Sequence, residues 1–180
     1  MKKNIKICYN VIGVVAFFVL ILIDQITKKA AVLHLKDQQP IDLIRNVFQL
    51  YYLENRGAAF GIMQGRKPFF IAITIVILIV IVYIYARMPA HKRFVLLRVL
   101  LVLIAAGAVG NFIDRFLQGY VVDFFYFSAI NFPVFNVADI YVTCSAVILI
   151  LTVLFYYKDQ DLKELGNSLK PGVKSHDRSK

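Results

Sequence analysis

Three aspartates stand out because each lies beside or inside a long apolar stretch. Asp24 follows the apolar run 7–23, Asp123 has two valines before it and two phenylalanines after it, and Asp139 opens a run that ends near residue 157. An ionisable group in such surroundings is costly to keep charged, and in a membrane segment it usually has a function. Two carboxyls that lie close together do not both ionise easily, so one keeps a proton. Such a pair can activate water for attack on a carbonyl group.

Asp123 and Asp139 are the candidate catalytic pair. The charged member would take a proton from water, the protonated member would donate one to a carbonyl oxygen, and the roles would then reverse. Asp139 begins a predicted helix, where the helix dipole favours an anion, so we expect it to be the ionised member at rest. Two other interpretations stay open. Asp139 can be a simple N-terminal helix residue with Asn136 as the cap, and Asp123 can be an ordinary carboxylate in the loop between the third and fourth helices.

Other polar residues fall at the same end of the predicted helices as this pair. They are Asp24, Asn55, Arg56, Asn111, Asp114, Arg115 and Asn136. The forked donors of Arg115 suit a lipid phosphate or a backbone carbonyl, and Asn55 suits the backbone of an extended substrate. Simpler roles stay open: an i, i+4 ion pair between Asp24 and Lys28, and interfacial anchoring by Asp114 with Arg115.

The composition indicates a membrane protein. Of the 180 residues, 59% are hydrophobic and only 18% are charged, whereas soluble domains are about 45–50% apolar and about 25% charged. The formal net charge of +10 would suggest nucleic acid in a soluble protein. Here the basic residues lie in the gaps between apolar runs, where lipid headgroups and membrane topology explain them better. The composition therefore disfavours a nucleic-acid partner.

Four apolar stretches are long enough, or nearly so, to cross a bilayer as helices. The predicted helices cover about 7–26, 68–86, 94–113 and 137–157, in one domain of residues 1–157 with a tail at 158–180. The first stretch follows several lysines, as a secretory signal does, but it lacks a small-x-small cleavage site, so an uncleaved helix is preferred. Most Lys and Arg residues lie on one side, which predicts that both termini are cytoplasmic and that the polar cluster lies at the outer face.

The first outer loop, about 28–67, is long for such a small chain. Its segment 47–53 is rich in β-branched and aromatic residues and stops at Asn55-Arg56-Gly57, which predicts a strand and a turn in a small sheet on the outer membrane surface. The polar tail after Lys158 is predicted to hold a short helix that ends in disorder. Cys8 and Cys144 lie in apolar runs and are expected to be small core residues.

The motifs taken together resemble the lipoprotein signal peptidase family, also called signal peptidase II. Five segments carry the resemblance in the family's order, along most of the chain from the first helix to the fourth. They are Asp24-Gln25-Ile26-Thr27-Lys28, Asn55-Arg56-Gly57-Ala58-Ala59-Phe60-Gly61, Gly107-Ala108-Val109-Gly110-Asn111-Phe112-Ile113-Asp114-Arg115, Gly119-Tyr120-Val121-Val122-Asp123-Phe124 and Phe135-Asn136-Val137-Ala138-Asp139. One such motif would be weak, whereas five in order are specific. Ala106 stands where the family often has glycine.

The resemblance implies an all-α membrane protein of four transmembrane helices with a small extracytoplasmic β-cradle. It implies an intramembrane aspartic endopeptidase that removes the signal peptide from diacylglyceryl-modified bacterial prolipoproteins, cutting before the lipidated cysteine. By motif position, Asp123 and Asp139 are catalytic. Substrate binding or support of the pair falls to Asp24, Lys28, Asn55, Gly57, Asn111, Asp114, Arg115 and Asn136. The expected partners are prolipoproteins and membrane lipids, and we expect a monomer in the bacterial inner membrane without a cofactor.

Other classes of protein remain as alternatives. A proton-coupled transporter or a channel also uses membrane aspartates, but it would need polar residues deep in its helices and often shows broken or repeated segments. If the chain were a structural or assembly protein, the presence of the five motifs in order would be a coincidence. A metal site is not expected, because His34, His91 and His176 lack the spacing of metal ligands.

Overall fold

The computed structural model of the chain describes residues 2–57 and 67–170, and within them four long apolar helices and one small sheet. The helices are α1 (Lys2–Leu35), α2 (Lys67–Arg87), α3 (Val95–Leu117) and α4 (Val137–Leu151), and α4 continues through a π-helical turn, Thr152–Tyr156. Each helix is long and apolar enough to cross a membrane, with mean hydropathy between 2.2 and 3.0. The predicted set of four apolar helices with a small sheet is confirmed.

Helix α3 lies at the centre and packs against α1, α2 and α4. Small residues on α3 allow this close approach. A Cβ at Gly107 would lie 2.5 Å from the backbone oxygen of Ala138 on α4, and a Cβ at Gly110 would collide with the carboxylate of Asp24 on α1. These two glycines therefore bring three helices together at the level of the polar residues.

Helix α1 extends to Leu35, well beyond the predicted end near residue 26. Its buried residues in this part are Asp24, Lys28, Ala31 and Leu35, which share one helical face. Ala31 and Leu35 pack against Val122 and Phe124 of the sheet. Lys28 lies inside the helix and not beyond its end, because it pairs with Asp114 and Asn111 of α3, and a local pattern does not show such distant contacts.

The sheet has three antiparallel strands in the order β1 (Ile41–Ile44), β2 (Phe48–Asn55) and β3 (Val121–Tyr126). The first two strands form a hairpin in the first long loop, which agrees with the β-strands expected at about 28–67. Strand β3 comes from the connection between α3 and α4, where only a loop was expected. On the far side of β3, Phe125 and Phe135 exchange backbone hydrogen bonds of 2.8 and 3.0 Å. This bridge holds the segment just before α4 against β3.

The polar tail contains α5 (Asp159–Leu169), as predicted for its first part. Asp161 accepts a hydrogen bond from the backbone N–H of Lys158 at 2.9 Å and pairs with Arg93 at 3.1 Å. The predicted disorder beyond the helix concerns residues 171–180, which lie outside the described residues. Cys8 and Cys144 are exposed on the apolar helix surface, so the prediction that they are core residues is wrong.

Candidate active site

Asp123 is a buried residue of strand β3 and not a loop carboxylate. Its exposed fraction is 1%. In the β2–β3 register, Leu53 lies opposite Asp123 and Asn55 lies opposite Val121, so Asn55 and Asp123 are diagonal neighbours on one face of the sheet. The Asn55 amide donates to Asp123 Oδ2 at 2.8 Å. The sheet therefore holds this carboxyl in place and supplies one of its donors.

Asp139 and Asn136 form the N-terminal cap of α4. The Asn136 side chain accepts from the Asp139 N–H at 3.0 Å, and the Asp139 carboxylate accepts from the Asn136 N–H at 3.1 Å. The capping interpretation left open by the sequence is therefore correct for both residues. Asp139 nevertheless keeps a second oxygen for other contacts and is only partly buried.

Asn136 links the two aspartates. Its side-chain amide donates to Asp123 Oδ1 at 2.6 Å, while its backbone N–H binds Asp139. The same amide also donates to Asn111 Oδ1 at 3.2 Å. One buried asparagine at the start of α4 thus contacts both carboxyls of the candidate pair.

Asn111 connects the pair to a buried cation. Its amide nitrogen donates to Asp139 Oδ1 at 2.7 Å, and its oxygen accepts from Lys28 Nζ at 2.9 Å. An ammonium group has only donors, so Lys28 binds the amide oxygen and leaves the amide nitrogen to face the carboxylate. Lys28 therefore fixes the orientation in which Asn111 donates to Asp139.

Lys28 itself lies between two buried carboxylates. It pairs with Asp24 at 2.9 Å and with Asp114 at 3.1 Å, and all three residues are at most 5% exposed. Asp24 also accepts from the Ala138 N–H at 2.9 Å, and Asp114 accepts from the Val122 N–H at 3.2 Å. The expected i, i+4 pair of Asp24 and Lys28 exists, but it belongs to a cluster that ties α1, α3, α4 and β3 together. Asp114 is part of this cluster and is not an exposed interfacial anchor.

Arg115 and Gly57 lie at one side of the pair without a hydrogen bond to either carboxyl. Arg115 Nη2 donates to the Gly57 carbonyl at 3.1 Å, and its guanidinium lies 4.8 Å from the ring of Phe70. The Gly57 N–H donates to the Asn55 side chain at 3.0 Å. Arg115 therefore supports the end of β2, which in turn supports Asn55 and Asp123.

Gln25 also belongs to the site, although the sequence pattern gave it no role of its own. Its amide donates to Asp114 Oδ1 at 3.1 Å and to the Gly110 carbonyl at 3.2 Å. Its position next to Asp24 in an otherwise apolar helix could have indicated this, because an uncharged polar side chain in such surroundings needs a hydrogen-bond partner.

The electrostatics favour a proton on Asp123. Burial raises the pKa of Asp123 to about 7, and the nearby charge of Asp139 is the second cause of this shift. Hydrogen bonds from the amides of Asn55 and Asn136 act in the opposite direction. A carboxyl with this pKa holds a proton through weakly acid pH and can donate it. Across residues 2–57 and 67–170, no group of three His, Cys, Asp or Glu side chains is arranged to hold a metal ion.

Comparisons with known proteins agree on one family. Residues 16–155 match the family model described as signal peptidase (SPase) II. The lipoprotein signal peptidase of Brevibacillus brevis is 47% identical over 135 residues, which cover 75% of this chain and 89% of that protein. The lipoprotein signal peptidase of Streptococcus pneumoniae is 44% identical over 144 residues, covering 79% of this chain and 93% of that protein.

Two solved structures, both described as bacterial membrane enzymes, have the same fold. One has a TM-score of 0.70 and 31% identity, covering 90% of this chain and 94% of the other. The second has a TM-score of 0.71 and 33% identity, covering 81% and 94%. Family model, relatives and fold therefore agree along most of the chain. This multi-pass membrane chain belongs to the signal peptidase II family, the peptidases that remove signal peptides from lipoproteins.

Proposed function

We propose that the chain is an aspartic endopeptidase that cuts diacylglyceryl-modified prolipoproteins just before the lipidated cysteine, with Asp123 and Asp139 activating the water. The observation that carries this proposal is the double contact of Asn136, which binds both carboxyls where the helix α4 meets strand β3. Family membership supplies the substrate class, and the two carboxyls supply an acid and a base.

The two aspartates have different surroundings, which support different starting roles. Asp123 is almost fully buried and its pKa is raised to about 7, so it starts as the proton donor. Asp139 is only partly buried, lies at the N-terminus of α4 and accepts from two N–H groups, so it starts as the anion. It is also the carboxyl more open to water.

The reaction then proceeds in two proton-transfer steps. Asp139 takes a proton from water as the water oxygen attacks the peptide carbonyl, and Asp123 donates its proton to the carbonyl oxygen. In the second step the carbonyl re-forms, the C–N bond breaks, and Asp139 donates its new proton to the leaving nitrogen while Asp123 recovers its own. The peptide is cleaved and the pair returns to its starting state.

Cleavage of a diacylated prolipoprotein by the purified chain tests this assignment. Asp123→Asn and Asp139→Asn keep the shape of each side chain and remove the titrating proton, so each should lower turnover by at least about 10²-fold, as for loss of a general acid or base. Asp42→Asn is a matched control, because Asp42 is an exposed carboxylate on β1 that pairs with Gln49. Normal turnover in either variant of the pair would remove that residue from the mechanism.

We also propose a monomer in the bacterial inner membrane, with both termini in the cytoplasm and the site near the outer face. An even number of spans brings the start of α1 and the end of α4 to one side of the membrane. Cysteine labelling in intact cells tests the orientation: a cysteine at exposed Asp42 should react with a membrane-impermeant reagent, and one at exposed Lys92 should not. The reverse pattern would contradict the proposal.

A further inference from the structure

A buried arginine lies at the end of the helix bundle opposite the candidate active site. Arg98 is on α3, and the sixteen helical steps from Arg98 to Asp114 span about 24 Å of helix. The hydrocarbon core of a bilayer is about 30 Å thick. Arg98 and Asp114 therefore lie near the two opposite interfaces of the membrane, and Arg98 is at the level of lipid headgroups.

The guanidinium of Arg98 is only partly satisfied by the protein. Nη2 donates to the carbonyl of Met88 at 2.8 Å, but Nε and Nη1 have no hydrogen-bond partner although the residue is only 3% exposed. Among the described residues no carboxylate forms an ion pair with it. Its neighbours are instead the rings of Tyr85 and Tyr9, at 4.8 and 5.6 Å. A buried cation with free donors favours an anionic ligand with acceptor oxygens.

An apolar groove adjoins Arg98, which is one of its lining residues. It has a volume of about 360 Å³ and is lined by α1 and α3, with Tyr85 of α2 at one end. The α1 residues from Tyr9 to Leu20 follow it for about 16 Å of helix. Ala16 leaves room between the two helices, whereas the space beside Gly13 is filled by the hydroxyl of Tyr85. The groove therefore joins a cationic end at the interface to an apolar channel that runs into the membrane.

We propose that this groove binds one anionic phospholipid, with its phosphate on Arg98 and an acyl chain between α1 and α3. The phosphate oxygens accept from Nε and Nη1, and the charge of the lipid balances the unpaired guanidinium. A free phosphate has no acyl chain to occupy the apolar groove, and a neutral lipid has no charge to pair with the guanidinium. The site lies at the opposite interface from Asp123 and Asp139, and its occupancy does not depend on the peptidase chemistry.

Native mass spectrometry of the purified, delipidated full chain tests the proposal. The chain in detergent is titrated with phosphatidylglycerol, with diacylglycerol of the same acyl chains, and with inorganic phosphate. We expect one phosphatidylglycerol to bind at least about tenfold more tightly than either other probe, because each probe lacks one half of the ligand. Equal affinity for diacylglycerol would overturn the role of Arg98, and equal affinity for inorganic phosphate would overturn the role of the groove.

Two substitutions with matched controls locate the site. Arg98→Gln should weaken phosphatidylglycerol binding about tenfold or more, whereas Lys92→Gln, which removes an exposed charge six residues before Arg98, should not. Ala16→Phe fills the groove and should also weaken binding, whereas Val15→Phe, at a site that is 57% exposed, should not. Unchanged binding in Arg98→Gln or in Ala16→Phe would overturn the proposal. If Arg98→Gln does not fold, the comparison of Ala16→Phe with Val15→Phe decides.

Discussion

Lys28→Met tests the buried charge cluster that supports the proposed catalytic pair. The substitution keeps an unbranched side chain and removes the ammonium. Asp24 and Asp114, which are 0% and 5% exposed, then lose the cation that lies 2.9 and 3.1 Å from them. Asn111 loses the donor that binds its amide oxygen. We therefore expect a loss of stability together with a loss of cleavage.

The size of the stability loss follows from the burial of the cluster. Removing one partner of a buried ion pair costs about 3–5 kcal/mol, because the remaining charge stays buried without compensation. For a chain of this length, about 1 kcal/mol shifts the unfolding midpoint by roughly 2–4 °C, so Lys28→Met should lower it by about 6–20 °C.

The assay is thermal unfolding in a mild detergent, followed by far-ultraviolet circular dichroism at one fixed scan rate. Lys36→Met is the matched control, since Lys36 directly follows α1 and pairs with Glu54 at 3.3 Å, but its side chain is 42% exposed. An exposed ion pair contributes little to stability, so this variant should unfold close to the natural chain.

A second substitution separates charge from packing. In the Lys28→Met background, Asp24→Asn removes one of the two uncompensated carboxylates and should restore part of the lost midpoint, giving a favourable coupling between the two positions. If Lys28→Met unfolded within about 2 °C of Lys36→Met, the loss would be no more than about 1 kcal/mol and the reasoning on the buried cluster would be wrong.

Four further predictions concern the pair and the helix contacts around it. Cleavage should fall as the pH rises through about 7, because Asp123 then loses the proton that it donates. Because the pKa of Asp123 is raised, the folded state binds more protons than the unfolded state between about pH 4 and 7. Stability should therefore fall as the pH rises through that window. Unfolding midpoints that stay constant there would contradict this. Gly107→Ala should lower the unfolding midpoint, because the new Cβ would lie 2.5 Å from the Ala138 oxygen. Gly166→Ala should not, because no heavy atom lies within 4 Å of a Cβ at that position. Equal midpoints for the two variants would refute the packing argument. Asn136→Ala should lose most turnover in the cleavage assay, because Asn136 links the two carboxyls. It should also lose about 1 kcal/mol of stability in thermal unfolding, because the cap of α4 is lost. Unchanged turnover would show that the link between the carboxyls is dispensable.

The fold was largely predictable because a bilayer imposes a strong and local requirement. A helix that crosses hydrocarbon must be continuously apolar for about 20 residues, so hydropathy alone predicts the four spans. The sheet was only partly predictable. Strand β2 has its own β-branched and aromatic pattern, whereas β3 is a strand because it pairs with β2, whose residues lie far away in the chain. The end of α1 was misplaced for the same reason, since its last turns are held by β3.

The candidate site divides in the same way. The sequence by itself determined which polar side chains lie at one end of the helices, because only a few interrupt the apolar runs and their order matches one family. It did not determine which of them contact one another. The tertiary structure decided that Asn136 binds both aspartates, that Lys28 orients Asn111, and that Asp123 is buried deeply enough to raise its pKa to about 7. These properties depend on distances and desolvation between segments that are remote in the chain, and no local pattern of residue types encodes them.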